Sequence, residues 1–257
     1  VLTFEPMPKM YFNKRLKNFR ISNRLQKINL LKKIGVDFII LKKFDKNFSK
    51  IKSTDFIKNI LIKKLDPKYV FVSNNFRFGN KREGNVKQLI KFEAYSNYKI
   101  IKPQPLKMNN KVISSTLIRN NLEKGKIGFA NKYLSRNWSI IGKVEKGRQL
   151  GKKIGFPTAN IDIKDYVLAC PGVYAIKVRR ERDKKYIRGI ANLGFRPTFN
   201  GKKILLEAHL FNYSGNLYNK YLTIEFLKFI RKEKKFSSVV KLRKQINKDL
   251  LIAKKSK

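Results

Sequence analysis

Acidic side chains are scarce in this 257-residue chain: 17 aspartates and glutamates stand against 61 lysines and arginines, a formal net charge of +44. Histidine, tryptophan and cysteine occur once each. A lone cysteine, Cys170, excludes an internal disulfide and fits a reducing, cytoplasmic compartment. No apolar run approaches the roughly 18 residues that a membrane-spanning helix needs, although 42% hydrophobic residues are adequate for a globular core. At the start, Val1-Leu2-Thr3-Phe4 reads as a strand; the basic stretch and long apolar core of a secretory signal are missing. A Walker A loop is missing too. In Gly147-Arg148-Gln149-Leu150-Gly151-Lys152-Lys153 the glycines stand too close together and no Ser or Thr follows the lysine, which disfavours a P-loop fold.

The charge has two readings. Clustered Lys and Arg recruit the phosphates of nucleic acid or of an anionic membrane by counterion release. Alternatively, lysines decorate every solvated face. Here they are spread through helical, strand and loop patterns alike, with no isolated basic tail and no aromatic-basic repeat. The second reading is therefore taken: no specific nucleic acid, no membrane, and only weak, salt-sensitive binding to polyanions.

The length allows one large domain or two ordinary ones. Residues 1–122 alternate strand and helix patterns. Val1–Phe4 is a short strand. Leu25, Ile28, Leu31 and Ile34 recur at helical spacing and stop at Gly35, a good residue just past a helix end. Val36–Leu41 reads as a buried strand, and Ser53 as the cap of a helix burying Phe56, Ile57, Ile60 and Leu61. Tyr69–Ser73 is a further strand, Val86–Tyr95 a helix and Tyr98–Ile101 a strand. Such alternation predicts a parallel, helix-covered Rossmann-like α/β sheet, whose ligands sit beyond the carboxyl ends of the strands.

Two segments fall at such ends. Asn74-Asn75-Phe76-Arg77-Phe78-Gly79 follows the Tyr69–Ser73 strand. Ile113-Ser114-Ser115-Thr116 leads into a helix carrying Leu117, Ile118, Arg119 and Leu122. Hydroxyls beside the free N–H groups of a helix start attract anions, and Arg119 one turn on offers a planar fork for phosphate. On these residues alone, an ordinary N-cap followed by a solvated arginine is the simpler reading.

Residues 123–136 look like a connecting helix with Ile127, Ala130 and Leu134 spaced for burial. From residue 137 the pattern changes to short strands: Ser139–Glu145, Val173–Arg179, Ile187–Leu193, Ile204–Leu210 and Leu222–Ile230. Strands with no helix between them predict a closed antiparallel barrel. Val239, Leu242, Ile246 and Leu250 then give the apolar stripe of a terminal helix.

The most informative stretch is Gly151-Lys152-Lys153-Ile154-Gly155-Phe156-Pro157-Thr158-Ala159-Asn160. If it is extended at its end, Thr158 and Asn160 face one side and Ala159 and Ile161 the other. Oxygen donors beside a lysine and a glycine-rich backbone suit a phosphate carrying Mg2+; a plain hairpin turn is the other reading. Glu207, in Leu206-Glu207-Ala208-His209-Leu210, is either a catalytic carboxylate or half of a buried ion pair, and composition does not decide. His209 shares its strand face and reads as structural or pocket-lining. Phe211 and Tyr213 fit a core, or a stack on a flat aromatic ligand.

Gly-Phe-Pro-Thr-Ala-Asn after a Gly/Lys-rich loop resembles the signature of riboflavin kinases. Over essentially the whole chain the sequence resembles the bacterial bifunctional riboflavin kinase/FAD synthetases. The resemblance implies a six-stranded Greek-key kinase barrel with a C-terminal helix over residues 137–257, joined to an FMN adenylyltransferase domain over residues 1–122. In the kinase it assigns Thr158 and Asn160 to the Mg2+ of Mg-ATP, and Gly151, Lys152, Gly155, Pro157 and Thr158 to ATP. Glu207 becomes the base for the riboflavin 5′-hydroxyl. Ala191-Asn192-Leu193-Gly194-Phe195-Arg196-Pro197-Thr198-Phe199 resembles a mobile flap beside flavin and nucleotide, with Asn192, Arg196 and Phe211 near the ligands.

In the first domain, Phe4-Glu5-Pro6, the Asn75 segment and Ser114, Ser115, Thr116 and Arg119 resemble the nucleotide-binding motifs for adenylylation of FMN. The chain departs from the family in two places. Its only histidine is His209, so the Gly-x-Phe-Asp-Gly-x-His-x-Gly-His loop is lacking, and Met7 stands where the family has histidine. The expectation is an N-terminally incomplete chain, short of its first strand and phosphate loop, with an adenylyltransferase half inactive as given. The outcome expected is ATP-dependent conversion of riboflavin to FMN, the complete form also making FAD. A basic nucleic-acid-binding protein and a flavin binder without turnover are the alternatives.

Overall fold

The computed structural model describes residues 1–16, 18–147, 149–163, 165–181, 183–198 and 201–256. The chain divides into two compact units, Val1–Arg15 with Val36–Ile113, and Leu16–Gly35 with Ser114–Lys257. Each is built on its own.

In the first unit, strand β1 (Leu2–Glu5) pairs in parallel with β2 (Ile40–Lys43), and β3 (Tyr69–Phe71) in parallel with β4 (Lys99–Ile101). Parallel pairing agrees with the strand-helix alternation, but it comes as two ladders of two strands each. One core of Phe56, Ile57, Leu61, Phe78, Leu89 and Tyr98 serves both, since Leu2, Val70, Val72 and Ile100 pack against it. The strand expected at Val36–Leu41 begins at Ile40, and it is not buried: Ile40 is 43% exposed. Ser53 is the first helical residue, not the cap. It is buried, and its N–H donates to the Glu83 carboxylate at 2.7 Å.

The second unit takes in a segment from far upstream. The helix Arg24–Lys33 is capped by Asn23 and Gln26 reciprocally, and ends before Gly35, whose φ of +84° suits glycine. The apolar positions expected to bury do not lead: Leu25 and Ile34 are exposed, and the one buried residue of the helix is Gln26. Gln26 Nε2 donates to the Ser139 carbonyl at 3.0 Å, while its Oε1 accepts from the Tyr166 hydroxyl at 2.6 Å. Beside it Trp138, fully buried, donates to the Ile21 carbonyl at 2.9 Å. Buried polar groups must find partners, so these hydrogen bonds, together with Ile21 packed on the core, attach this segment. The helix expected after Ser114 is Ser115–Glu123, and the connecting helix expected over residues 123–136 is the shorter Ile127–Leu134, set off from it at Gly125 with φ +71°.

The barrel follows. Its strands are β5 (Ser139–Glu145), β6 (Ala159–Asp162), β7 (Gly172–Arg180), β8 (Ile187–Thr198), β9 (Gly201–Leu210) and β10 (Tyr221–Lys232). They close in the order β6-β9-β8-β7-β10-β5, every pair antiparallel, and β10 returning beside β7 makes the Greek key. The helix Val239–Lys255, capped by Ser238, packs its Leu250 and Ala253 over Val173, Ala175 and Ile190.

On the outer face, the Glu225 carboxylate accepts from Asn137 Nδ2 at 2.9 Å, pairs with Lys177 Nζ at 3.1 Å and accepts from the Tyr186 hydroxyl. Burial pushes this carboxyl up, but the bonds from Tyr186, Asn137 and Lys177 together outweigh it and hold it below its ordinary value. A depressed folded-state value means stability that is present above the unfolded value and lost as pH falls through the folded one. Glu225→Gln should therefore cost about 1–3 kcal/mol at neutral pH. In urea melts the gap from wild type should close in the acid range; a gap that does not change with pH would assign the cluster a purely steric role.

Candidate active site

A strand of four residues, β6, organises the site. Ala159 and Ile161 enter the barrel core, so Asn160 takes the opposite, outward face. Antiparallel register sets Asn160 against Glu145 on one side and Glu207 on the other, and Glu207 in turn against Asn192. Leu206, Ala208, Ala191 and Leu193 all belong to the core, so Glu207 and Asn192 share the outward face with Asn160. Three neighbouring strands thus carry amide, carboxylate and amide side by side.

The segment before β6 folds over this row. Asn160 is buried because the backbone at Gly147 lies directly on its amide; a Cβ there would collide with Asn160 Nδ2. Leu150–Lys153 form one helical turn, and the Phe156 N–H closes back on the Gly151 carbonyl at 2.8 Å. Lys152 is exposed, Thr158 is half-buried, and the space around Gly155 is open. His209 Nδ1 donates to the Pro157 carbonyl at 2.8 Å, and its ring meets Phe156 edge-on at 5.7 Å. The single histidine therefore pins Phe156-Pro157 against β9, with Pro157 three residues ahead of Asn160. Arg243, on the terminal helix, donates through Nε to the Ile154 carbonyl at 3.2 Å.

The expected flap begins as sheet. The strand that was expected to end at Leu193 continues to Thr198, and Arg196 pairs with Lys203 in the hairpin with β9. Phe199 lies outside the described residues, as does the Arg196 side chain. Asn192 Nδ2 donates to Glu233 Oε1 at 3.1 Å. Phe211 is half-buried under the terminal helix, with the His209 ring 6.4 Å away and Lys254 Nζ 5.9 Å from its centroid.

The residues expected for adenylylation fall in both units. In the first, Asn75 follows β3 in a turn, its Oδ1 accepting from the Ser73 hydroxyl at 2.9 Å. In the second, Ser114 caps the helix Ser115–Glu123 and accepts from the Leu117 N–H at 3.2 Å, with Ser115 and Thr116 exposed. Arg119 stacks on Phe19, 3.6 Å from the ring centroid, and donates through Nε to the Phe19 carbonyl at 2.8 Å. Burial pulls this guanidinium below its ordinary value, with Glu123 opposing. Phe19 was not foreseen as its partner, because a lone aromatic a hundred residues upstream carries no pattern. Glu233 and Gly147 were likewise missed. An acid among lysines and a glycine before a loop look ordinary until the strands are paired.

A six-stranded Greek-key barrel preceded by a parallel α/β unit matches two families of flavin metabolism. The riboflavin kinase family matches residues 134–257, and the FAD synthetase family residues 1–117. A bifunctional riboflavin kinase/FMN adenylyltransferase of Buchnera aphidicola subsp. Schizaphis graminum is 41% identical, over 99% of this chain and 82% of that protein. The protein of the same name from Escherichia coli K12 is 34% identical, over 98% and 80%. A crystal structure titled a macrolide-efflux protein from Streptococcus pneumoniae matches with a TM-score of 0.85 at 26% identity, over 100% of this chain and 83% of that one. This chain belongs to the bifunctional riboflavin kinase/FMN adenylyltransferase family. Among the described residues, no helix is long and apolar enough to cross a membrane.

Proposed function

We propose that the barrel transfers the γ-phosphate of ATP to the 5′-hydroxyl of riboflavin, giving FMN and ADP. The observation that carries this reading is the register of Asn160, Glu207 and Asn192 on one outward row, with Thr158 two residues before Asn160. Glu207 takes the hydroxyl proton as the oxygen–phosphorus bond forms and the bond to ADP breaks. The Thr158 hydroxyl and the Asn160 amide oxygen are hard neutral donors that fit Mg2+, which would complete its shell with phosphate oxygens and neutralise their charge. Lys152 and the backbone of the Gly151–Gly155 turn hold the phosphates. Arg196 and Phe211 are proposed beside nucleotide and flavin. The role of Asn75, Ser114, Ser115, Thr116 and Arg119 in adenylylating FMN to FAD is a companion proposal, read out by FAD formation from FMN and ATP. A reducing, cytoplasmic setting goes with these substrates and with the lone Cys170.

The test is FMN formation from riboflavin and ATP. It should stop on chelation of Mg2+ and return when the ion is restored. Asn160→Ala should lower kcat/KM for ATP by about a hundredfold, as when one charge-stabilising contact is removed. Unchanged turnover and unchanged Mg2+ demand in that variant would move the metal elsewhere.

A further inference from the structure

The acid-poor chain spends one of its carboxylates on Asn192, and neither composition nor motif accounts for it. Glu233 stands just past the end of β10. Lys232 pairs with Gly172, and Gly172 pairs with Leu193, so the chain leaving β10 arrives beside the middle of β8. There the Glu233 carboxylate lies over Gly194, where any side chain would occupy its place, and Oε1 accepts from Asn192 Nδ2 at 3.1 Å. An amide has one nitrogen and one oxygen. Once the nitrogen is committed to a carboxylate, a flip that presents nitrogen in place of oxygen costs a charge-assisted bond.

We propose that Glu233 is a positioning residue: it fixes the Asn192 amide so that Oδ1 stays available as an acceptor for a hydroxyl of the flavin's polyol side chain. This rests on the kinase reading above. Asn192 is the register neighbour of Glu207, so a substrate that gives its terminal hydroxyl to Glu207 brings further hydroxyl donors past Asn192. Hydroxyls can bond an amide oxygen or an amide nitrogen only in different orientations, and a fixed acceptor selects one. Glu233 itself touches no reacting atom.

The experiment compares Glu233→Ala, Glu233→Gln, Asn192→Ala and the Glu233→Ala/Asn192→Ala pair, by fluorescence titration with riboflavin and by steady-state kinetics. Glu233→Ala should weaken riboflavin binding and raise its KM about tenfold, the size of one hydrogen bond to a charged group, and leave the KM for ATP unchanged. Asn192→Ala should match it, and the double variant should be no worse than either single one, because the two act as a unit. Glu233→Gln, which keeps an acceptor oxygen, should recover most of the loss. Effects that multiply in the double variant, or a KM change for ATP instead of riboflavin, overturn the proposal. Wild-type protein that binds riboflavin without phosphorylating it would sink the kinase reading alone, since the titration still decides the role of Glu233. Wild-type protein that binds no riboflavin sinks both.

Discussion

Glu207→Gln should abolish most FMN formation, lowering kcat by about 10²–10⁴-fold, the usual worth of a general base, while riboflavin still binds. The substitution keeps size and shape and removes only the charge. Glu207 lies between Asn160 and Asn192 in register, so the glutamine amide can hold the same neighbours. Its two rival roles separate cleanly in this variant. A base lost in the transition state lowers kcat and kcat/KM together. A carboxylate whose task is an ion pair on the barrel wall would instead lower the melting temperature and leave the folded enzyme turning over. The measurement is FMN by chromatography under saturating riboflavin and Mg-ATP, beside a thermal melt. Wild-type kcat with a lowered melting point would remove Glu207 from the chemistry.

How much of this was legible beforehand depends on how local each signal is. The barrel strands announced themselves by alternation, and the helix stop at Gly35 by a residue with a known backbone preference. Strand β6 was not among the strands picked out by alternation, because four residues with a proline just before them make too short a pattern. Asn160 therefore came with no partner until pairing placed Glu145 and Glu207 on either side. The segment 16–35 was assigned to the α/β half by position in the chain. Its attachment is written in Gln26, a polar residue that becomes buried only because Tyr166 and Ser139 wait for it more than a hundred residues away. Apolar periodicity is blind to a contact of that kind. The same holds for Glu233, whose meaning depends on an empty position at Gly194 and an amide at Asn192.

The second large effect concerns the terminal helix, and it is expected in stability. Asp249 is 1% exposed and ion-paired with Arg231. Arg231 Nε lies 3.1 and 2.9 Å from its two oxygens and Nη2 lies 2.7 Å from Oδ2, while Gln245 Nε2 donates to Oδ1 at 2.8 Å. Arg231→Met fills similar space but leaves that carboxylate buried with a single amide for company. The cost should be about 3–5 kcal/mol, read from denaturant melts. Asp249→Leu in the same chain should return most of it, because two apolar side chains carry no desolvation penalty. The helix covers Val173, Ala175 and Ile190 and carries Arg243 to the Ile154 carbonyl, so its loosening reaches the turn before Thr158 as well as the core beneath. Activity should then fall with the fraction of helix docked, and recover in the double variant. If Arg231→Met costs less than about 1 kcal/mol, the level of an exposed pair, the helix is held by its apolar face alone and the buried pair is incidental.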